Sequence, residues 1–121
     1  MNSMVVGMGG FVGAVLRYLI GLVPVNESTV FPVKTFAINV FGCIAIGMIT
    51  IFASKNPNIN PKWILFLKVG LCGGFTTFST FALETTDLIK NGCIEIAFLY
   101  AMLSIFVGVV VIFGIEMAIG R

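Results

Sequence analysis

Four apolar segments fill nearly the whole chain, at about residues 4–23, 35–53, 63–83 and 94–115. Each is close to the roughly 20 residues that a membrane-spanning helix needs. Only 10% of the residues are charged and the mean hydropathy is +1.12, so the chain has too few charges to cover a soluble globule of its size. The sequence therefore predicts an all-α integral membrane protein, with residues 1–121 forming a single domain of four transmembrane helices.

The ionisable residues exclude several functional classes. There is no histidine, and all five acids stand at segment ends or in connections: Glu27, Glu84, Asp87, Glu95 and Glu116. That leaves no carboxylate or imidazole proton relay at the membrane centre and no side-chain cluster suited to hydrolysis. The three cysteines are scattered, and a net charge of +2 provides no basic stripe for nucleic acid. We therefore expect neither an enzyme nor a nucleic-acid-binding protein.

The basic residues bear on orientation. Four spans place both termini and the second connection on one side of the membrane. Lys55, Lys62, Lys68 and Arg121 belong to that side, and Arg17, Lys34 and Lys90 belong to the other. Orientation follows the Lys/Arg asymmetry of short loops, and four against three is hardly a bias. The sequence therefore predicts a dual topology, in which the chain inserts in both orientations.

Small residues in the first segment recur at intervals of three and four, at Gly7, Gly10, Ala14 and Gly21, with Arg17 on the same stripe. Such a stripe lets another helix approach closely in lipid. Arg17 is different in kind, because a guanidinium this far into a span must snorkel, pair or line a watery vestibule.

Two further segments each carry a narrow row of polar and small residues on one helical face: Thr35, Asn39 and Gly42 in the second, and Tyr100, Ser104 and Gly108 in the fourth. A single helix–helix hydrogen bond would be enough to explain Asn39 alone. Two rows on otherwise apolar helices indicate that something small and polar passes between them.

The third segment contains the run GGFTTFSTF, in which two glycines, four hydroxyl residues and three phenylalanines occupy residues 73–81. Each glycine weakens a helix by about 1 kcal/mol relative to alanine, so we expect the third helix to be broken here. Irregular backbone at membrane depth is tolerated only where it is buried in protein or lines a cavity, and its freed carbonyls can bind a cation. Phenylalanine ring edges carry partial positive charge and can face an anion.

The longer stretch GLCGGFTTFSTFALE closely resembles the signature of the small fluoride channels, the Fluc or CrcB family. The similarity extends to GGFVGAVLRY in the first segment and to TFAINVFGC in the second. It covers three of the four segments by motif, and all four by length and arrangement.

The resemblance implies a fluoride-selective passive channel of the cell membrane, which confers fluoride resistance. It implies an antiparallel homodimer with two pores and a structural sodium ion at its centre. Phe78 and Phe81 would border the pores, whereas Phe75 would not. The backbone carbonyls of Gly73 and Thr76 would bind the sodium ion.

The other expected members of the ion pathway are polar or basic residues: Arg17 as the vestibule arginine, Thr35, Asn39 as the pore amide, Ser79, Thr80, Tyr100 and Ser104. Gly108 departs from the family pattern, since a hydroxyl can occur there in relatives.

Two other functional classes fit the length and the number of spans. A small dual-topology multidrug exporter relies on a membrane-embedded glutamate in its first span, and MVVGMGGFVGAVLRYLIGLV contains none. An accessory subunit without transport activity is disfavoured only by the polar rows.

Overall fold

Secondary structure is helical, without a strand, in residues 1–24 and 30–120, the part of the chain that the computed structural model describes. The helices are α1 (Asn2–Gly21), α2 (Val33–Lys55), α3 (residues 61–75), α4 (Ser79–Lys90) and α5 (Ile94–Ile119). Two residues named above, Glu27 in the first connection and Arg121 at the end of the chain, lie outside the described residues.

Four stretches of helix are long and apolar enough to cross a membrane: α1, α2, α3 together with α4, and α5. This confirms the predicted all-α class and the four apolar helices. The third stretch is the least apolar, with a mean hydropathy of 1.4 against 2.7 for α5, because the hydroxyl-rich run lies within it.

The third stretch changes its backbone geometry along its length. Asn60 caps the start of α3, where its Oδ1 accepts a hydrogen bond from the Lys62 N–H at 3.0 Å. α-Helical Pro61–Ile64 is followed by π-helical Leu65–Cys72 and by one more α-helical segment, Gly73–Phe75. Thr76 then adopts an extended conformation (φ −84°, ψ 161°), and α4 begins at Ser79. Residues 76–78 between the two helices are not helical.

Glycines allow α1 to pack closely against α3. Gly9 and Gly13 are the buried residues of α1. A Cβ atom on Gly70 would lie 2.9 Å from the Cα of Gly9, and one on Gly74 would lie 2.9 Å from the Cα of Gly10. The two backbones are therefore too close for a side chain at either α3 position.

Within this chain, only part of the predicted small-residue stripe on α1 faces α3. A Cβ atom on Gly7 or Gly21 would meet no atom within 4 Å, and Ala14 is exposed. Of the glycines in the stripe, Gly10 is the one that contacts α3. The sequence permits two overlapping stripes, and spacing alone does not decide which of them faces the neighbouring helix.

α2 packs along α5, and α4 folds back onto the first half of α5. Their core is centred on Tyr100, which is fully buried among Phe81, Leu88 and Ala97. Lysines satisfy carbonyl groups at two helix ends. Lys34 Nζ donates to the Gly21 oxygen at 2.7 Å, and Lys55 Nζ donates to the Ile119 oxygen at 2.6 Å.

Candidate ion pathway

A groove of about 590 Å³ lies between α2, α5 and the α3–α4 junction. Its wall is mostly apolar. The polar and charged side chains that line it are Asn39, Lys68, Thr76, Thr77 and Ser104. Among the described residues no acidic side chain lines it, and the one charged side chain in its wall is positive.

Asn39 is bound to the backbone at the α3–α4 junction. Its Oδ1 accepts a hydrogen bond from the Thr77 N–H at 2.9 Å, and its Nδ2 donates to the Thr77 carbonyl oxygen at 3.1 Å. The amide thereby supplies the partners that a continuous helix would have given Thr77. Nδ2 carries two hydrogens, so one N–H of Asn39 remains for another acceptor.

Because Thr77 pairs with Asn39, the Gly73 carbonyl oxygen lacks its usual helical hydrogen-bond donor. In a continuous α-helix the Thr77 N–H would donate to the oxygen of Gly73, four residues earlier. That N–H points to Asn39 instead, so the Gly73 carbonyl loses its helical partner. Within the described residues no group of three or more His, Cys, Asp or Glu side chains could hold a metal ion. A cation at this junction would therefore depend on backbone oxygens, which suit a hard ion such as sodium.

Ser104 differs from the other polar residues of the groove. Among the described residues, its Oγ is the one buried side-chain oxygen or nitrogen without a hydrogen-bond partner. An unpaired buried hydroxyl destabilises a protein by about 1–3 kcal/mol. Ser104 lines the groove together with Asn39, so a ligand with a hydrogen-bond acceptor that enters beside it could satisfy this hydroxyl.

The two phenylalanines expected at the pore lie together in the groove. The ring centroids of Phe78 and Phe81 are 5.8 Å apart at an interplanar angle of 50°. The Phe81 ring also meets Tyr100 edge-on at 5.0 Å. Phe78 is 77% exposed, whereas Phe81 is half-buried, so the pair extends from the core to the surface of the chain.

Sequence reasoning missed one residue of this region, Glu84. Its Oε2 accepts a hydrogen bond from Thr35 Oγ1 at 3.0 Å, and its Oε1 accepts one from Tyr100 Oη at 2.9 Å. The expected pathway residues Thr35 and Tyr100 are thus joined by a single carboxylate. The available signal was the position of Glu84 at the end of GLCGGFTTFSTFALE, where we treated it as a residue of the segment end.

Five expected pathway residues lie outside the groove wall: Arg17, Thr35, Ser79, Thr80 and Tyr100. Thr35 and Tyr100 are the two that Glu84 joins. Arg17 Nε donates to the Gly74 carbonyl oxygen at 3.3 Å, on the α1 side of α3. Ser79 is exposed at the start of α4. Thr80 donates its backbone N–H to Thr77 Oγ1 at 3.2 Å, which tightens the first turn of α4. Their roles in a pathway stay predictions.

Comparison with known proteins agrees with these features. The sequence model of the family described as "CrcB-like protein, Camphor Resistance (CrcB)" matches residues 4–115. The chain belongs to this family. CrcB membership confirms the resemblance seen in the motifs, and four apolar helices make this member a multi-pass membrane protein.

Curated relatives carry the name "Fluoride-specific ion channel FluC". The protein of that name from Oceanobacillus iheyensis is 44% identical over 108 residues, which cover 89% of this chain and 83% of the relative. The one from Flavobacterium psychrophilum is 45% identical over 105 residues, covering 85% and 84%. The one from Phocaeicola vulgatus is 42% identical over 119 residues, covering 97% and 98%.

Proposed function

We propose that this chain is a fluoride-selective passive ion channel and not an enzyme. The relatives named above are similar over nearly their whole length and bear the name of a fluoride-specific ion channel. The structural observation that carries the proposal is the unpaired, buried hydroxyl of Ser104, in a groove that no acidic side chain of residues 1–24 and 30–120 lines. Such a donor is suited to a small anion.

Besides the ammonium group of Lys68, the groove offers several weak, uncharged donors. Fluoride is small and strongly hydrated, so a pore must replace its water without binding it too tightly to leave. The Ser104 hydroxyl and the remaining Asn39 N–H would each donate one hydrogen bond. The edges of the Phe78 and Phe81 rings would add partial positive charge from an apolar wall. This set would favour a compact anion and would hold no cation in the same place.

We propose that the channel is an antiparallel homodimer with two pores. Phe78 in the non-helical stretch, Ser79 directly after it and Gly73 in the last turn of α3 are exposed in the single chain. Irregular backbone at membrane depth needs cover from protein or from a water-filled cavity. A second copy on this face would supply that cover. The nearly even distribution of basic residues supports opposite orientations for the two copies.

We further propose that the carbonyls of Gly73 and Thr76 from both copies would hold a structural sodium ion. The diverted Thr77 N–H supports this assignment, because it leaves the Gly73 oxygen available. When bound, the ion would supply positive charge that offsets the partial negative charges of the converging carbonyls. It would not be transported.

The proposed physiological role is export across the cell membrane. Fluoride enters from acidic surroundings as neutral HF and dissociates inside the cell, where the pH is higher. A membrane potential that is negative inside favours anion exit by about 2.3 kcal/mol per charge at 100 mV. A passive and selective pore is therefore sufficient for fluoride resistance.

A dual-topology exporter would need a titratable carboxylate in the first span. α1 contains no acidic residue, and the carboxylate of Glu84 accepts hydrogen bonds from two hydroxyl groups. These observations favour a channel over a proton-coupled exporter.

The test is a flux measurement on purified protein in liposomes, with imposed fluoride or chloride gradients and a fluoride-sensitive electrode. We expect rapid fluoride efflux that requires neither a proton nor a sodium gradient, with chloride efflux far slower. Efflux that depends stoichiometrically on either gradient would indicate a coupled transporter. The absence of any fluoride efflux would support an accessory subunit.

A further inference from the structure

Within the described part of the chain, Lys68 is the one charged residue that lines the groove. It is half-buried and lies within the π-helical part of α3. Lys68, Cys72 and Thr76 follow one another at intervals of four residues, so they share the groove-facing side of α3. A cation in an apolar membrane segment is rare and usually functional.

The polar row on α5 ends before it reaches the level of Lys68. Beyond Ser104, the next two positions on the same face of α5 are Gly108 and Ile112. A Cβ atom on Gly108 would lie 3.3 Å from Cys43 Sγ, so the thiol of α2 occupies the space that a larger residue would use. Ile112 lines the groove with an apolar side chain. α5 therefore provides no donor in this half of the groove.

We propose that Lys68 is the anion-attracting residue of this groove, in which α5 contributes only apolar side chains beyond Ser104. Side chains on a helix lean toward its N-terminus, so the ammonium group would lie toward the Pro61 end of α3. From there it would concentrate fluoride in this part of the groove and would not replace Ser104 as the donor to the ion. This inference rests on the proposed channel function and adds a residue to it.

The effect of the Lys68 charge on the local anion concentration can be estimated from its distance to Thr76 in the groove wall. Lys68 precedes Thr76 by two helical turns, which corresponds to a separation on the order of 12 Å. At an effective dielectric constant of about 20, one unit charge at that distance changes the local anion concentration about tenfold. Added salt weakens the effect, since the Debye length is about 10 Å at 0.1 M and about 3 Å at 1 M.

The experiment is a charge series at one position, with fluoride efflux measured per folded protein in liposomes. We expect Lys68→Arg to keep at least half of the wild-type rate, Lys68→Met to lose three- to tenfold at low ionic strength, and Lys68→Glu to lose more. Raising an impermeant salt to about 1 M should bring Lys68→Met to within about twofold of wild type, because screening removes the contribution of the charge.

Lys62 provides the matched control, because it is exposed in the first turn of the same helix and does not line the groove. Lys62→Glu makes the same charge change as Lys68→Glu and should alter efflux by less than about twofold. If wild-type protein conducts fluoride and Lys68→Met conducts equally at low salt, the inference is overturned. An equal loss at both salt concentrations would also overturn it, since that result indicates a packing role. If Lys68→Glu does not fold, the comparison of arginine with methionine still decides the question. Absence of wild-type fluoride efflux would refute the proposed function instead.

Discussion

Replacing Asn39 with alanine should unfold the protein more readily, because Asn39 pairs with both polar groups of one residue, Thr77. The substitution removes the acceptor of the Thr77 N–H and the donor to the Thr77 carbonyl. Both groups lie in a non-helical stretch, so no helical partner replaces the lost ones. The side chain itself is small, and its apolar contacts contribute little.

The two hydrogen bonds between Asn39 and Thr77 determine how much stability Asn39→Ala loses. A buried polar group left without a partner destabilises a protein by about 1–3 kcal/mol, whereas side-chain hydrogen bonds within membranes average about 0.6 kcal/mol and reach about 1.7. Thr77 lines the groove, so water can reach part of the exposed peptide. We expect a loss of about 2 kcal/mol, which lowers the ratio of folded to unfolded protein roughly thirtyfold.

Titration with a denaturing detergent provides the assay. Trp63, the single tryptophan of the chain, lies at the start of α3 and reports unfolding by its fluorescence. Asn56→Ala is the matched control, because Asn56 Nδ2 donates to the Phe52 carbonyl oxygen at 2.9 Å at an exposed helix end. Asn56→Ala should lower the free energy of unfolding by less than about 0.5 kcal/mol. If Asn39→Ala lost no more than this control, the pairing of Asn39 with Thr77 would not stabilise the α3–α4 junction, and the reasoning would be refuted.

Three further predictions concern other parts of the molecule. Phe78→Ile and Phe81→Ile should reduce fluoride efflux per folded protein far more than Phe75→Ile, because isoleucine keeps bulk but lacks a ring edge; equal rates in all three would leave the rings without a role. Glu84→Ala should destabilise the fold by about 1–3 kcal/mol and Glu84→Gln by less in the same detergent titration, since the amide can still pair with a hydroxyl; equal losses would exclude hydrogen bonding as its contribution. A tag at the C-terminus should be accessible from both sides in intact cells and inverted vesicles, and access from one side only would exclude dual topology.

The four apolar helices were predictable because a bilayer sets their length. About 20 apolar residues are needed to cross the hydrocarbon core, and four runs of that size are visible in the sequence before any contact is known. The contacts between helices are less accessible to such reasoning. On α1 the small residues allow two overlapping faces, and only the position of α3 selects the one with Gly9 and Gly13. That choice depends on a tertiary contact far away in the sequence.

The candidate site shows the same division. Spacing placed Thr35 with Asn39, and Tyr100 with Ser104, on shared helical faces. Residue spacing did not reveal that the Glu84 carboxylate of α4 joins Thr35 to Tyr100, because these two hydrogen bonds connect three different helices. Sequence position placed Glu84 at the end of a span and indicated no partner for it. A hydrogen-bond network among distant elements has no signature in the spacing of any one of them.

Ser104 and Tyr100 stand one turn apart on the same face of α5, yet their hydroxyl groups have opposite energetic roles. Tyr100 Oη donates to Glu84, so Tyr100→Phe should leave Glu84 Oε1 with one partner fewer and destabilise the fold by about 1–2 kcal/mol. Ser104 Oγ is buried without a partner, so Ser104→Ala removes a group that is desolvated and unpaired.

We therefore expect Ser104→Ala to leave the free energy of unfolding unchanged or to raise it by up to about 1 kcal/mol, while fluoride efflux falls at least tenfold. Detergent titration and liposome efflux on the same preparations check both values. A stability loss in Ser104→Ala as large as that in Tyr100→Phe would mean that Ser104 pairs within the folded protein. Unchanged efflux would mean that the hydroxyl does not contact the ion. Either result would remove the observation that connects this groove to an anion, because only an unpaired donor retained at the expense of stability requires a ligand from outside the chain.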